Sequence, residues 1–249
     1  MHKINIVVAN YNSGDDIKKT LISLSKCNLI GDSVTLVDNI STDGSYEIAN
    51  KIIKTFNSTN YFYHESDDGV YDALNKGIFS VNSEYVLILH SGDEIIPKTY
   101  NYLKSIISSF NNKKILIFTR QLLNRKGNID VRSSHIPAIR YKMSICHSNI
   151  IIPRYLYSKY GKYNTSFKIA SDFKLIREIL LSGELFIELD LPLIINDTSG
   201  LSNNIKYLPY SLVENIKSLI NRQSSRKDFI YSGFYLFSKI LYFIKKKFN

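Results

Sequence analysis

Acidic side chains in this sequence stand where apolar runs end, the places where a folded chain can present them to a ligand. Asp38 closes the run Val34-Thr35-Leu36-Val37 and is followed by Asn39-Ile40-Ser41-Thr42-Asp43-Gly44-Ser45. A carboxylate there can accept hydrogen bonds from a nucleobase N–H or a ribose hydroxyl, while Ser, Thr and Asp cap the next helix. Taken alone, capping is the plainer account. Tyr11 follows the apolar residues 4–9 and offers a ring to a base, or is an ordinary strand-end aromatic. In Glu65-Ser66-Asp67-Asp68, Asp67 or Asp68 could reach a base and Lys76 a phosphate, the alternative being a solvated helix start. Asp93 and Asp172 each precede a helical pattern, where a carboxylate also matches the helix dipole.

For these side chains to meet, the elements between them must alternate. Residues 4–9 read as a strand, 10–14 as a turn, and Ile17, Leu21 and Leu24 recur at helical spacing. Residues 34–37 repeat the theme, with the loop 38–44 leading into a helix marked by Ile48, Ile52, Ile53 and Phe56. A short strand at 61–63 precedes a helical stripe of Val70, Ala73, Leu74, Gly77 and Ile78, and 85–89 read as a buried strand. A helix through Leu103 and Phe110, a strand at 115–118, irregular or hairpin structure at 122–143 with a turn at Gly127, and a helix at 171–181 follow. This alternation predicts an α/β fold with a mostly parallel central sheet flanked by helices. Ligands of such sheets bind beyond the carboxyl ends of the strands, so four strand ends are expected to converge on one crevice.

The segment 37–45 resembles the D-x-x-S-x-D-G-[ST] signature of family 2 glycosyltransferases of the GT-A fold, nucleotide-diphospho-sugar transferases. Ile6-Val7-Val8-Ala9-Asn10-Tyr11-Asn12 is similar to the family's opening strand, with Ala9 a departure from its usual Thr or Pro. The fourteen positions 65–78, Glu-Ser-Asp-Asp-Gly-Val-Tyr-Asp-Ala-Leu-Asn-Lys-Gly-Ile, resemble the E-x-D-x-G-[IV]-Y-D-A-[ML]-N-K-G-I run of a bacterial surface-polysaccharide branch. Ser91-Gly92-Asp93 stands where the family has D-x-D, and the resemblance implies that Asp93 holds Mg2+ or Mn2+ against the donor diphosphate, with Glu94 or His90 as helpers. A cation there would stabilise the negative charge growing on the leaving group. Lys168-Ile169-Ala170-Ser171-Asp172-Phe173-Lys174-Leu175 resembles the [AG]-x-D-[YW]-x-L segment, which makes Asp172 the general base of an inverting transfer. Ala9, Tyr11, Asp38, Asp67, Asp68, Lys76, Ser91 and Gly92 would bind the nucleotide sugar. Ile145-Cys146-His147-Ser148 is similar to a C-H-Q segment, so His147 would touch acceptor or diphosphate, or be a satisfied core histidine. Ser199-Gly200-Leu201-Ser202 resembles the turn that closes the catalytic region, and no role is assigned to it.

The resemblance covers residues 4 to about 202 and implies transfer of a single sugar, with a UDP-sugar as donor, to a glycan or lipid-diphosphate-linked acceptor in O-antigen or capsule assembly. Residues 1–205 are expected to form the catalytic domain and 206–249 a basic, aromatic, helical extension. The chain has 249 residues, 44% hydrophobic and 22% charged, enough for one α/β domain with a real core. Cys27 and Cys146 lie far apart without C-x-x-C spacing, which suggests neither a disulfide framework nor a thiolate zinc site and fits a reducing cytosol. The amino terminus lacks a signal-peptide pattern, so export is not expected. A net charge of +10 favours an anionic partner. Its late excess, at Arg222, Arg226, Lys227, Lys239 and Lys245-Lys246-Lys247, is mixed with aromatics and favours peripheral docking at the inner face of the cell membrane. Helical packing on the domain or a partner chain stays open as the other account of residues 228–249. A sugar-nucleotide pyrophosphorylase would need Arg or Lys in the loop 10–16, which has neither, and a nucleic-acid module would need a zinc finger, RNP or Gly-x-x-Gly element. A degenerate member that binds donor without turning it over is a further alternative, since only one Asp of the D-x-D place is present.

Overall fold

The computed structural model describes residues 2–110, 114–123, 129–132, 135–197, 205–220 and 224–248. Four strands, β1 (His2–Asn10), β2 (Ser33–Asp38), β3 (Thr59–His64) and β4 (Ser83–His90), lie parallel in the order β3-β2-β1-β4. Each is joined to the next by a helix: α1 (Asp15–Leu24), α2 (Ser45–Ile53) and α3 (Val70–Ser80). Beyond β4 come the two-residue β5 (Glu94–Ile95) and α4 (Pro97–Ile106), whose first residue is a proline with its ring preset for a helix start. The hairpin expected after residue 122 is present as β6 (Ile115–Leu123) against β7 (Ile129–Arg132), while Gly127 lies outside the described residues. The second half of the sheet continues β4-β8-β6-β9-β5, with β8 (Ile150–Pro153) antiparallel to both β4 and β6 and β9 (Phe186–Asp197) parallel to β6. Helices α5 (Arg154–Tyr160), α6 (Ser171–Leu181), α7 (Leu208–Leu219) and α8 (Arg226–Phe248) complete the chain.

The two-residue period of a strand sends alternate side chains to opposite faces. In β4, Tyr85, Leu87 and Leu89 join a core with α1, α2 and α4, whereas Val86 and Ile88 join a second core with α3, α5 and α6. Both faces are therefore covered, which explains why β2 and β4 read as continuous apolar runs instead of alternating ones. Helix α3 lies close on the sheet because Gly77 has no side chain: a Cβ there would fall 2.4 Å from Val7 Cγ1. Asn5 secures that contact, donating from Nδ2 to Gly77 O at 2.9 Å. The tight seating of α3 sets the position of everything its first turn presents to the strand ends.

Candidate functional site

The strand ends open onto a cavity of about 1080 Å³. Its wall takes Ala9 and Tyr11 from the end of β1, Asp67 before α3, Ser91 and Asp93 after β4, His147 before β8, and Asp172 from the first turn of α6. Tyr11 stands 63% exposed on the rim. Asp67 is held by its own loop, accepting the Gly69 N–H at 2.8 Å, and partial burial raises its carboxyl above the usual value. His90 also lines the cavity, but Glu94 does not, pairing instead with Lys19 at 3.0 Å.

Four expected contacts lie off this wall. Asp38 is fully buried, and its carboxylate accepts from Asn10 Nδ2, from Ser41 N at 2.9 Å and from Ser41 Oγ at 2.6 Å, with His64 Nδ1 2.7 Å away. It organises the strand-end loops from behind, since burial leaves it no open side toward a base. Asn12 Oδ1 accepts the Thr42 N–H at 2.9 Å in the same tie, and Ile40 between them is held at φ 47°, a left-handed conformation costly for a β-branched residue. Lys76 points along α3 to Asp72 Oδ2 (3.4 Å) and back to Glu65 Oε1 (3.2 Å), because helix spacing puts residues four apart on one face. Asp68 is exposed, its N–H donating to Asp72 at 3.2 Å. Gly92 supplies space: at φ 95° it lets the Asp197 carboxylate approach to 3.2 Å of where a Cβ would stand.

Asp93 is 6% exposed. Its Oδ2 accepts from Asn196 Nδ2 at 2.9 Å and Ser148 Oγ at 3.0 Å, and its Oδ1 from the Asp197 N–H at 3.0 Å. Burial raises its carboxyl, opposed by nearby His90 and by these donors. A carboxylate has about four lone-pair positions, so three bonds leave one open on Oδ1. Among the described residues no three His, Cys, Asp or Glu side chains gather closely enough to hold an ion by themselves. The donor set fits Mg2+ or Mn2+ in the manner of a cation bound by one or two carboxylates and completed by substrate phosphates and water.

Asp172 retains 19% side-chain exposure on the cavity wall, and burial raises its carboxyl above the usual carboxylate range. Tyr71 donates to its Oδ1 at 3.0 Å, as does the Phe173 N–H at 2.8 Å. Burial and the Asp172 charge hold the Tyr71 phenol well above its ordinary value, so it remains a donor. His147 lies with Nδ1 4.0 Å from Asp172 Oδ2 and Nε2 2.6 Å from Tyr163 Oη, and burial pushes its pKa down to about 3. Burial thus favours its neutral form. Sequence reasoning missed Glu214 on α7, whose carboxylate accepts the N–H groups of Lys168, Ile169 and Ala170 at 2.7, 2.8 and 3.0 Å and so holds the approach to α6. Tyr71 and Asn196 were missed also, although Tyr71 lies inside the matched run 65–78. Residues of α7 and α8, among them Ser211, Tyr235, Lys239 and Tyr242, also line the cavity. The turn 199–202 lies outside the described residues.

The profile of Glycosyl transferase family 2 matches residues 5–181, and the chain belongs to that family. The fold is GT-A: the mannosyltransferase PcManGT from Pyrobaculum calidifontis, in complex with GDP-Man and Mn2+, superposes with a TM-score of 0.70 at 16% identity, covering 94% of this chain and 69% of that one. S. aureus TarS 1-349 in complex with UDP-GlcNAc gives 0.68 at 18%, covering 88% and 67%. A PGL/p-HBAD biosynthesis glycosyltransferase of Mycobacterium bovis is 23% identical over 177 residues, 68% of this chain and 66% of that protein. Glycosyltransferase GlyG of Streptococcus pneumoniae is 25% identical over 181 residues, 72% and 58% respectively. The chain thus spans less than two thirds of the length of either of these curated relatives, 66% of one and 58% of the other.

Proposed function

We propose that the protein is an inverting glycosyltransferase that moves one sugar from a nucleoside diphosphate sugar, a UDP-sugar, to a hydroxyl of a glycan or lipid-linked acceptor in bacterial surface polysaccharide assembly. The observation that carries this reading is that Asp93 and Asp172, far apart in sequence, face one cavity at the strand ends of a GT-A sheet. Asp172 serves as base, taking the acceptor hydroxyl proton as that oxygen attacks the anomeric carbon. Tyr71 orients it and favours its ionised form; neutral His147 completes the wall beside it. Tyr11, Asp67, Ala9 and Ser91 border the nucleotide sugar, and Asp38 shapes their loops. Asp93, beside Asp197, would hold the Mg2+ or Mn2+ that enters with the donor. Such a cation stabilises the charge on the departing diphosphate. That neighbours of this fold carry UDP-GlcNAc or GDP-Man supports a nucleotide-sugar donor.

Residues 1–205 form the catalytic unit in this reading, and 206–249 an extension that also lines the cavity. The extension docks on the inner face of an anionic membrane. The outward stripe of α8, Ile230, Phe234, Phe237, Leu241 and Ile244, is between 43% and 68% exposed. Residues 205–249 carry nine Lys and Arg against two acids, a net +7 of the chain's +10. Both acids, Glu214 and Asp228, are buried. A second copy would bring the same charge to the stripe, whereas anionic lipid complements it. Among the described residues no helix is long and apolar enough to cross a membrane.

The activity is tested by incubating the protein with a panel of UDP- and GDP-sugars and Mn2+ and reading nucleotide release. One donor should be turned over by the native chain and not by Asp172→Asn, with melting temperature unchanged. Full turnover by that variant would remove Asp172 from its role, and no release with any donor would favour a protein that binds donor without transfer.

A further inference from the structure

The cavity lining carries both signs of charge: the carboxylates Asp67, Asp93, Asp172 and Asp197, and the lysines Lys142 and Lys168, in the loops before β8 and α6, and Lys239 on α8. Lys239, on α8, donates from Nζ to Ser211 Oγ at 2.7 Å, and burial lowers its pKa. Lys142 Nζ lies 5.7 Å from the centre of the Tyr235 ring, and Tyr235 stands one helical turn before Lys239 on α8. Among the described residues neither lysine has a carboxylate within ion-pair distance. The nearby acids are already committed, Glu214 to three backbone N–H groups and Asp228 to Arg140 at 3.1 Å.

Drawing an ammonium out of water without a counter-charge is costly, and a cavity that does so with Lys239 is built for an anion that arrives from outside. The anion it suits is a phosphate: tetrahedral, with several acceptor oxygens for Lys, Ser and Tyr donors at once. A metal cation is excluded from this end by the charge of the lysines themselves. The donor's diphosphate belongs with Asp93, which could share a cation with it. We propose that the basic end, framed by Lys142, Lys168, Lys239, Ser211 and Tyr235, is a subsite for a phosphate group of the acceptor. This rests on the glycosyltransferase reading above, and it narrows the acceptor to a phosphate-bearing molecule whose hydroxyl reaches Asp172 while its phosphate is held by α8. Because the other side of α8 carries the exposed apolar stripe, a lipid-borne phosphate could enter from the surface that the same helix covers.

The test is calorimetric titration of the full chain, saturated with UDP and Mg2+, with inorganic phosphate and separately with decyl phosphate below its micellar concentration. Both should bind with the donor place filled, and Lys239→Met should weaken both about ten- to hundredfold, the loss expected for a hydrogen bond to a charged group. Lys239→Arg, which keeps the charge, should restore binding, and the melting temperatures of both variants show whether they are folded. Tighter binding of decyl phosphate than of inorganic phosphate would support a lipid-borne ligand, and equal binding a soluble one. Phosphate displaced by UDP would overturn the proposal, because the anion would then belong to the donor place, and so would native affinity in Lys239→Met. Failure of UDP to bind at all would instead strike the donor reading; the titration without UDP would still decide the subsite.

Discussion

At the scale of single residues, the proposed chemistry rests on how Asp172 is held. A base acts only when ionised, and burial raises this carboxyl above the ordinary Asp value of about 3.9. Transfer is therefore expected to fall as pH drops through that raised pKa, giving an acid limb above the usual carboxylate range. The Tyr71 hydrogen bond favours the carboxylate, so removing it should raise the pKa further. In Tyr71→Phe the acid limb of kcat should move to higher pH, measured by initial rates across a buffer series. A limb that stays in place or moves down would show that Tyr71 does not act on Asp172. His147, held near 3, should contribute no limb between pH 5 and 9. Tyr71 was legible as part of a motif, but its pairing with Asp172, 101 positions away, was not. No periodicity encodes a contact at that separation.

At the scale of elements, α3 is the part whose placement matters most, because it carries Tyr71 and follows the loop of Asp67. Its seat depends on Gly77. Gly77→Ala would put a methyl group against Val7, a β-branched side chain on a central strand that cannot swing away. We expect a loss of about 1–3 kcal/mol, the usual cost of overpacking, read as a lower midpoint in urea; an unchanged midpoint would mean that the helix shifts without strain. The helical stripe of Val70, Leu74, Gly77 and Ile78 was readable from spacing alone, as were the strands around it. Lys76 lies off the cavity wall for a related reason. Its place in the motif suggested a phosphate, yet helix geometry turns it toward Asp72 and Glu65, and the ion pairs use its charge locally.

At the scale of the whole molecule, the outward stripe of α8 and the net +7 of residues 205–249 predict binding to anionic vesicles. The protein should co-sediment with vesicles containing phosphatidylglycerol and not with phosphatidylcholine alone, and should be released by salt, since charge attraction to lipid is screened. Phe234→Ser with Phe237→Ser should abolish sedimentation while leaving the protein folded. If those changes instead convert a dimer to a monomer in analytical ultracentrifugation, the stripe joins two copies and the membrane account fails. The extension was expected as an appendage, yet α7 and α8 also form part of the cavity wall and supply Lys239.

Sequence alone determined what is local: the alternation of strands and helices, the apolar runs that mark a sheet covered on both faces, and the polar clusters at its strand ends. Each follows from periods of two and 3.6 residues and from turn chemistry, which act over a few neighbours. Tertiary structure decided which of those clusters face the cavity. Asp38 and Asp93 both end strands, yet one is sealed by Asn10, Ser41 and His64 while the other lines the cavity, pinned by Asn196 from 103 positions away. The difference arises from long-range packing, where exposure depends on what the rest of the chain lays against a side chain and not on its neighbours in sequence.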